Sequence, residues 1–258
     1  MSSNDSTSKT LIVAFSLCIV CSIIVSAAAV MLKPIQEVNK TLDRKRNILA
    51  AAGMLDESKS VDEQFAQIST RVVDLRTGKF ADEAIDAGKY DQRKAAKDPQ
   101  QSVALGADQD IAKVARREDY ALVYLVEDPQ GEIDKIILPV HGAGLWSTLY
   151  GFVALEPDAT TVAGIGFYEH GETPGLGGEV DNPRWKALWH GKEVYRDGQA
   201  TIGLIKGSVD AASPNAPWQI DGLAGATLTS NGVTKLVQFW LGENGFQPFL
   251  NNLLEGEA

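Results

Sequence analysis

Three segments of this 258-residue chain combine glycine with hydroxyl-bearing residues at unusual density. They are His141-Gly-Ala-Gly-Leu-Trp-Ser147, His170-Gly-Glu-Thr-Pro-Gly-Leu-Gly-Gly178 and Asp221-Gly-Leu-Ala-Gly-Ala-Thr-Leu-Thr-Ser230. Glycine lets a backbone approach a ligand closely and adopt positive φ, and the Thr and Ser hydroxyls add hydrogen-bond donors. The third segment runs directly into Val233, Leu236, Val237, Trp240 and Leu241, spaced i, i+3, i+4, i+7 and i+8. That stripe predicts an amphipathic helix buried on one face. The unpaired N–H groups at its start would favour an anion such as a phosphate. Two readings follow: a phosphate-bearing planar cofactor held among loops, or ordinary tight turns between strands. Dinucleotide, P-loop, zinc-protease and nucleophile-elbow motifs are absent. His141, His170 and His190 lack the spacing of a metal cluster, so no metal is expected.

The elements that must position these segments read as follows. Tyr120 to Glu127 is a strand rich in Tyr, Val and Leu, Asp128-Pro-Gln-Gly131 is a turn, and Ile133 to Val140 is the return strand of a hairpin. Val153 to Leu155, Thr161 to Tyr168 and Ile202 to Ile205 suggest further strands, with Glu156-Pro-Asp158 turning between the first two. Few crossover helices separate them, which predicts an α+β fold with a mainly antiparallel sheet and packed helices. Thr229 or Ser230 is expected to cap the last helix and Gly242 to follow its end. Residues 56–118 are polar with short apolar patches such as Arg71 to Leu75, and read as a solvated layer of helices and loops.

Leu11 to Leu32 is an uncharged apolar run. As a helix it would span about 33 Å, enough for a bilayer core of about 30 Å. It is long for a signal peptide, and an uncleaved anchor is the better reading. Lys33-Pro34 is expected to close it, and Ile35, Val38, Leu42 and Leu49 predict a second helix over residues 35–53. The expected domains are thus a short tail (1–10), a transmembrane helix (11–32) and a soluble domain (33–258). Lys33, Lys40, Arg44, Lys45 and Arg46 follow the run and only Lys9 precedes it. Read alone, the positive-inside rule would keep the large domain in the cytoplasm. Cys18 and Cys21 both lie inside the run, so the soluble part has no thiols for a disulfide or an iron–sulfur cluster. With 24 Lys and Arg against 34 Asp and Glu, the net charge of −10 argues against a nucleic-acid partner.

These features together resemble the NqrC family of the sodium-translocating NADH:quinone oxidoreductase, over almost the whole chain. The run from Asp221 to Ser230, continued by Asn231-Gly-Val233 and Phe239-Trp-Leu-Gly242, carries the likeness. The related flavoprotein of the Rnf-type electron-transport complex shares the plan and is the alternative, as is a membrane-anchored FMN-binding protein with no relay role. The resemblance implies a domain that carries FMN as a phosphoester on a threonine, in a motif ending Ser/Thr-Gly-Ala-Thr. The matching residues are Ala224, Gly225, Ala226 and Thr227, which makes Thr227 the flavin-bearing residue. Ala224 departs from the pattern and loses one hydroxyl. A separate flavin transferase would use FAD as donor and release AMP.

Thr229 and Ser230 would add donors near the phosphate. The resemblance places Thr173, Gly175 and Leu176 by the isoalloxazine ring, with Leu145 and Trp146 as a second wall. Trp146 would either stack on the ring or fill core, and His170 would either tune the ring or serve as a local hydrogen-bonder. No residue is assigned a catalytic role. The implied function is an electron relay from partner subunits of a bacterial inner-membrane complex toward ubiquinone, coupled to sodium export. The implied topology puts the flavin domain in the periplasm, against the charge bias.

Overall fold

The computed structural model describes residues 6–258 and divides into two units, 1–44 and 45–258. The first unit is helical from Thr7 onward. Helix α1 (Thr7–Ala51) contains an 18-residue window of mean hydropathy 2.7, none of it buried. It is the one described helix long and apolar enough to cross a membrane. The sequence predicts a stop at Lys33-Pro34 and a new helix after it, whereas α1 continues through Pro34. A proline removes its own hydrogen bond to the preceding turn and crowds the carbonyl four residues back, and a strong helical run on both sides carries the chain past it.

The second unit is built on a six-stranded antiparallel sheet. Its strands are β1 (Ile68–Asp74), β2 (Lys79–Phe80), β5 (Tyr120–Glu127), β6 (Ile133–Ala143), β7 (Thr148–Leu155) and β8 (Val162–Glu169). Their order across the sheet is β2-β1-β5-β6-β7-β8. Short pairs lie outside it. β3 (Ser102–Ala104) pairs with β4 (Arg116–Glu118), and β9 (Tyr195–Arg196) with β10 (Gln199–Ala200), both antiparallel. The strand anticipated at 202–205 is β11 (Gly203–Ile205). It joins no neighbour in the large sheet and pairs in parallel with β12 (Gln219–Asp221). The fold is α+β.

Both faces of the sheet are covered, which explains its nearly continuous apolar strands. Val123, Leu125, Ile136, Leu138 and Val153 face α5 (Thr227–Trp240) and α6 (Gln247–Glu255) through one core. Leu122, Tyr124, Ile137 and Phe152 face Ile48 and Leu49 at the end of α1 through another. Val233, Leu236, Val237, Trp240 and Leu241 are all fully buried, as the α5 periodicity requires. The sequence reads α5 as the last helix, but α6 follows it after a tight turn.

Residues 56–118 are more than a solvated layer. β1 lies inside the sheet with Val72 and Val73 fully buried, paired along its whole length with β5. Arg71, which breaks the apolar pattern, reaches out to pair with Asp82 and cover the Phe80 ring. The segment also holds two short helices, α2 (Val61–Phe65) and α3 (Gln92–Ala95), and a third, α4 (Pro183–Ala187), lies beyond the sheet strands. Gln92 on α3 accepts from Leu122 N (3.0 Å) and donates to Glu118 Oε1 (2.5 Å).

Glu118 is fully buried, and its Oε2 has no partner among the described residues. Burial pushes its carboxyl up to about 7, against the pull of Gln92 and Arg117. A buried acid with a raised folded-state value binds its proton more tightly than the unfolded chain does. Its contribution is therefore lost as pH rises from about 4.5 to about 7. Glu118→Gln is expected to melt higher than wild type at pH 8, by the equivalent of about 3 kcal/mol, and to match it at pH 4. Thermal unfolding at the two pH values checks this.

Candidate functional site

The three glycine-rich segments converge at the start of α5. The first is the turn between β6 and β7, closed by a Gly144 N–H donating to Ser147 O at 2.8 Å. The second follows β8, where Gly171 N donates to Ser147 Oγ at 2.6 Å. The third leads from β12 into α5. Its Gly225 sits at φ +71°, where a side chain is strained, and a Cβ there would press on Leu176 Cδ2 at 3.0 Å.

At the centre is Glu172, which is only 5% exposed. Its Oε1 accepts from Leu145 N and Trp146 N, each at 3.0 Å. Its Oε2 accepts from Thr229 Oγ1 at 2.5 Å. One carboxylate thus joins all three segments. Gly144 and Gly177 make room for it: a Cβ would lie 2.5 Å from Oε1 at the first and 2.7 Å from Oε2 at the second. The sequence reading missed Glu172 as an organiser. A lone glutamate inside a glycine-rich loop was the available signal, but its partners are 26 to 57 residues away.

Thr227 is the first residue of α5 and is exposed. The residue before it, Ala226, supplies no side-chain cap, and Ser230 N is the first helical amide paired back, to Ala226 O at 2.9 Å. The amides of residues 227–229 are left for another acceptor. This corrects the expected cap. Thr229 donates inward to Glu172, and Ser230 Oγ accepts from Leu223 N at 3.1 Å, so both hydroxyls bind protein. They are buried because they follow Thr227 on the inward side of the helix.

Trp146 is 69% exposed, which overturns core packing for this residue. Its loop is held by Glu172 on the rim rather than folded inward. Leu145, Leu176 and Leu228 are also exposed, so each of the three segments presents a large apolar side chain at the surface. Thr173 and Gly175 lie exposed on the same second segment. His170 is a local hydrogen-bonder: Nδ1 accepts from Glu172 N at 3.2 Å and Nε2 meets Asp181 Oδ2 at 2.8 Å. His141 stacks on Tyr150 and packs tilted against Trp240. Burial, aided by Arg93, pushes its imidazole down to about 4. Among the described residues no three His, Cys, Asp or Glu side chains gather as a metal site.

An exposed threonine at an uncapped helix start, where three glycine-rich segments with exposed apolar side chains are tied together, suits a phosphate-bearing planar ligand. Residues 144–242 match the FMN-binding domain family. The full chain is 56% identical to the NqrC subunit of the Na(+)-translocating NADH-quinone reductase of Pseudomonas aeruginosa, covering all of both chains. The chain belongs to the NqrC family. It is also 53% identical to the corresponding Vibrio anguillarum protein, over 99% of this chain and 98% of that one. The crystal structure of Shewanella oneidensis NqrC superposes with a TM-score of 0.77 at 36% identity, covering 84% of this chain and 99% of that chain. As a member of the NqrC family, this chain is an FMN-binding flavoprotein subunit of a multi-subunit NADH-quinone reductase. Its apolar helix α1, the one of that kind among the described residues, fits a one-pass anchor.

Proposed function

We propose that the chain carries FMN as a phosphoester on Thr227 and relays electrons between partner subunits of the reductase, on the path from NADH to ubiquinone that drives sodium export. The observation that carries this reading is the exposed hydroxyl of Thr227 at a helix start whose first amides have no side-chain cap. When bound, FMN supplies one- and two-electron carriage. The chain's own residues hold and shield it. Thr227, in the run Ala224-Gly225-Ala226-Thr227, supplies the attachment oxygen, and the amides of residues 227–229 complement the negative charge of the phosphodiester without a basic side chain. Thr173 would offer a hydroxyl to the bound ring, with Gly175 leaving room beside it. Leu145, Trp146 and Leu176 would shield the bound ring from water.

A flavin transferase is the maturation partner: the FAD phosphoanhydride breaks, the threonine oxygen takes the FMN phosphoryl group, and AMP leaves with the proton. Residues 11–32 form the membrane anchor of this reading, 1–10 its tail and 33–258 the flavin-bearing domain, on the periplasmic face of the inner membrane. Partner subunits impose that orientation over the Lys and Arg excess after the anchor. The ion path belongs to those partners, because the apolar run has no charged side chain.

The intact mass of denatured chain, coexpressed with its transferase, tests the attachment. An excess of about 438 Da, the mass of FMN less water, is expected. A chain of unmodified mass under those conditions would sink the proposal.

A further inference from the structure

Glu172 has more to offer than loop closure. Its carboxylate is buried, and all three of its donors are neutral: two backbone amides and one hydroxyl. Among the described residues no Lys, Arg or His forms an ion pair with it, since the adjacent His170 is engaged with Asp181. Neutral donors satisfy its lone pairs without cancelling its charge, and away from water that charge acts over a longer range. Thr229, bound at 2.5 Å, lies two residues after Thr227 on α5. The anion is therefore bonded to the same first turn of α5 that carries the attachment residue.

We propose that Glu172 is the positioning residue of the cofactor site, and that its uncompensated charge makes the loaded protein a stronger reductant. The proposal rests on the FMN reading above. Positioning acts through the two amides of the 145–146 loop and the hydroxyl of Thr229, which fix one apolar wall against the first turn of α5. The charge acts at a distance, because an electron arriving on a cofactor next to a buried anion is disfavoured, which lowers the midpoint potential.

The two effects separate by substitution. Glu172→Gln keeps the shape: its amide oxygen accepts from both backbone N–H groups, and the Thr229 hydroxyl turns from donor to acceptor. Glu172→Ala leaves those two amides without an acceptor and unties the loop. Full-length chains would be coexpressed with the transferase and measured by intact mass for the loaded fraction, and by spectroelectrochemistry for the midpoint potential.

Glu172→Gln is expected to load as wild type does, with its potential shifted positive by about 59 mV, a tenfold change in the oxidised-to-reduced ratio of a one-electron couple. Glu172→Ala is expected to load several-fold less. A fully loaded Gln variant with unchanged potential would overturn the electrostatic role. Wild-type loading of the Ala variant would overturn the positioning role. If the Ala variant does not fold, Glu172→Asp, too short to span both partners, decides the same point. Wild-type chain without covalent mass would instead refute the attachment to Thr227 on which the proposal rests, a result distinguishable from either.

Discussion

Thr227→Ala is expected to lose the entire covalent mass excess of about 438 Da while the domain stays folded. Thr227 is exposed and begins α5, so replacing its side chain removes no core contact. Alanine is also a better helix former than threonine, so the helix itself should not weaken. NADH-driven quinone reduction by the assembled complex is expected to fall to background. Thr227→Ser keeps a hydroxyl at the same place and is expected to retain attachment. Denatured protein checks both, because only a covalent flavin survives unfolding and absorbs visible light. A yellow, mass-shifted Thr227→Ala chain would show that another residue carries the group. Loss in both variants, with wild type loaded, would show that the transferase reads the threonine methyl as well.

Trp240→Ala is expected to be the most destabilising single change at the cofactor domain's core, about 3–5 kcal/mol. Domains of this size are stable by only about 5–15 kcal/mol, so the loss takes a large share of the total. Trp240 is fully buried, packs at 4.8 Å against His141 and edge-on against Phe239, and donates Nε1–H to His141 O at 2.6 Å. Alanine leaves a large cavity between α5 and β6 and an acceptor without its donor. Chemical denaturation of the unloaded domain measures the loss. Phenylalanine should recover the packing but not the hydrogen bond, and fall between the two. A melting curve close to wild type for Trp240→Ala would mean that α5 is held by something other than this contact.

The local periodicities carried most of the fold. The β5–turn–β6 hairpin and the α5 stripe were readable because each needs only a run of one period and a turn residue at its end. β1 was not readable. Seven residues interrupted by Ser, Thr and Arg become a sheet strand only when β5 lies alongside. β11 looked like its neighbours in sequence, yet it pairs elsewhere and in the opposite sense, because strand pairing is a property of two distant segments. The site divides the same way. Its three segments and Thr227 stood out by composition and by resemblance, whereas the facing of Thr229 and Ser230 depended on where α5 begins.

The amino-acid sequence by itself thus determined the elements with strong local periods, the apolar N-terminal helix, and the placing of a threonine at the start of an amphipathic helix. Those follow from hydrophobic spacing and residue chemistry that one segment contains alone. Only the tertiary structure decided that Glu172 binds the 145–146 loop and Thr229 together, that Trp146 faces out, and that the first amides of α5 are left open. Each of these depends on contacts across dozens of residues, and burial decides which hydroxyl or ring turns inward. A buried carboxylate must find its donors wherever the fold places them, and no spacing along the chain announces where that will be.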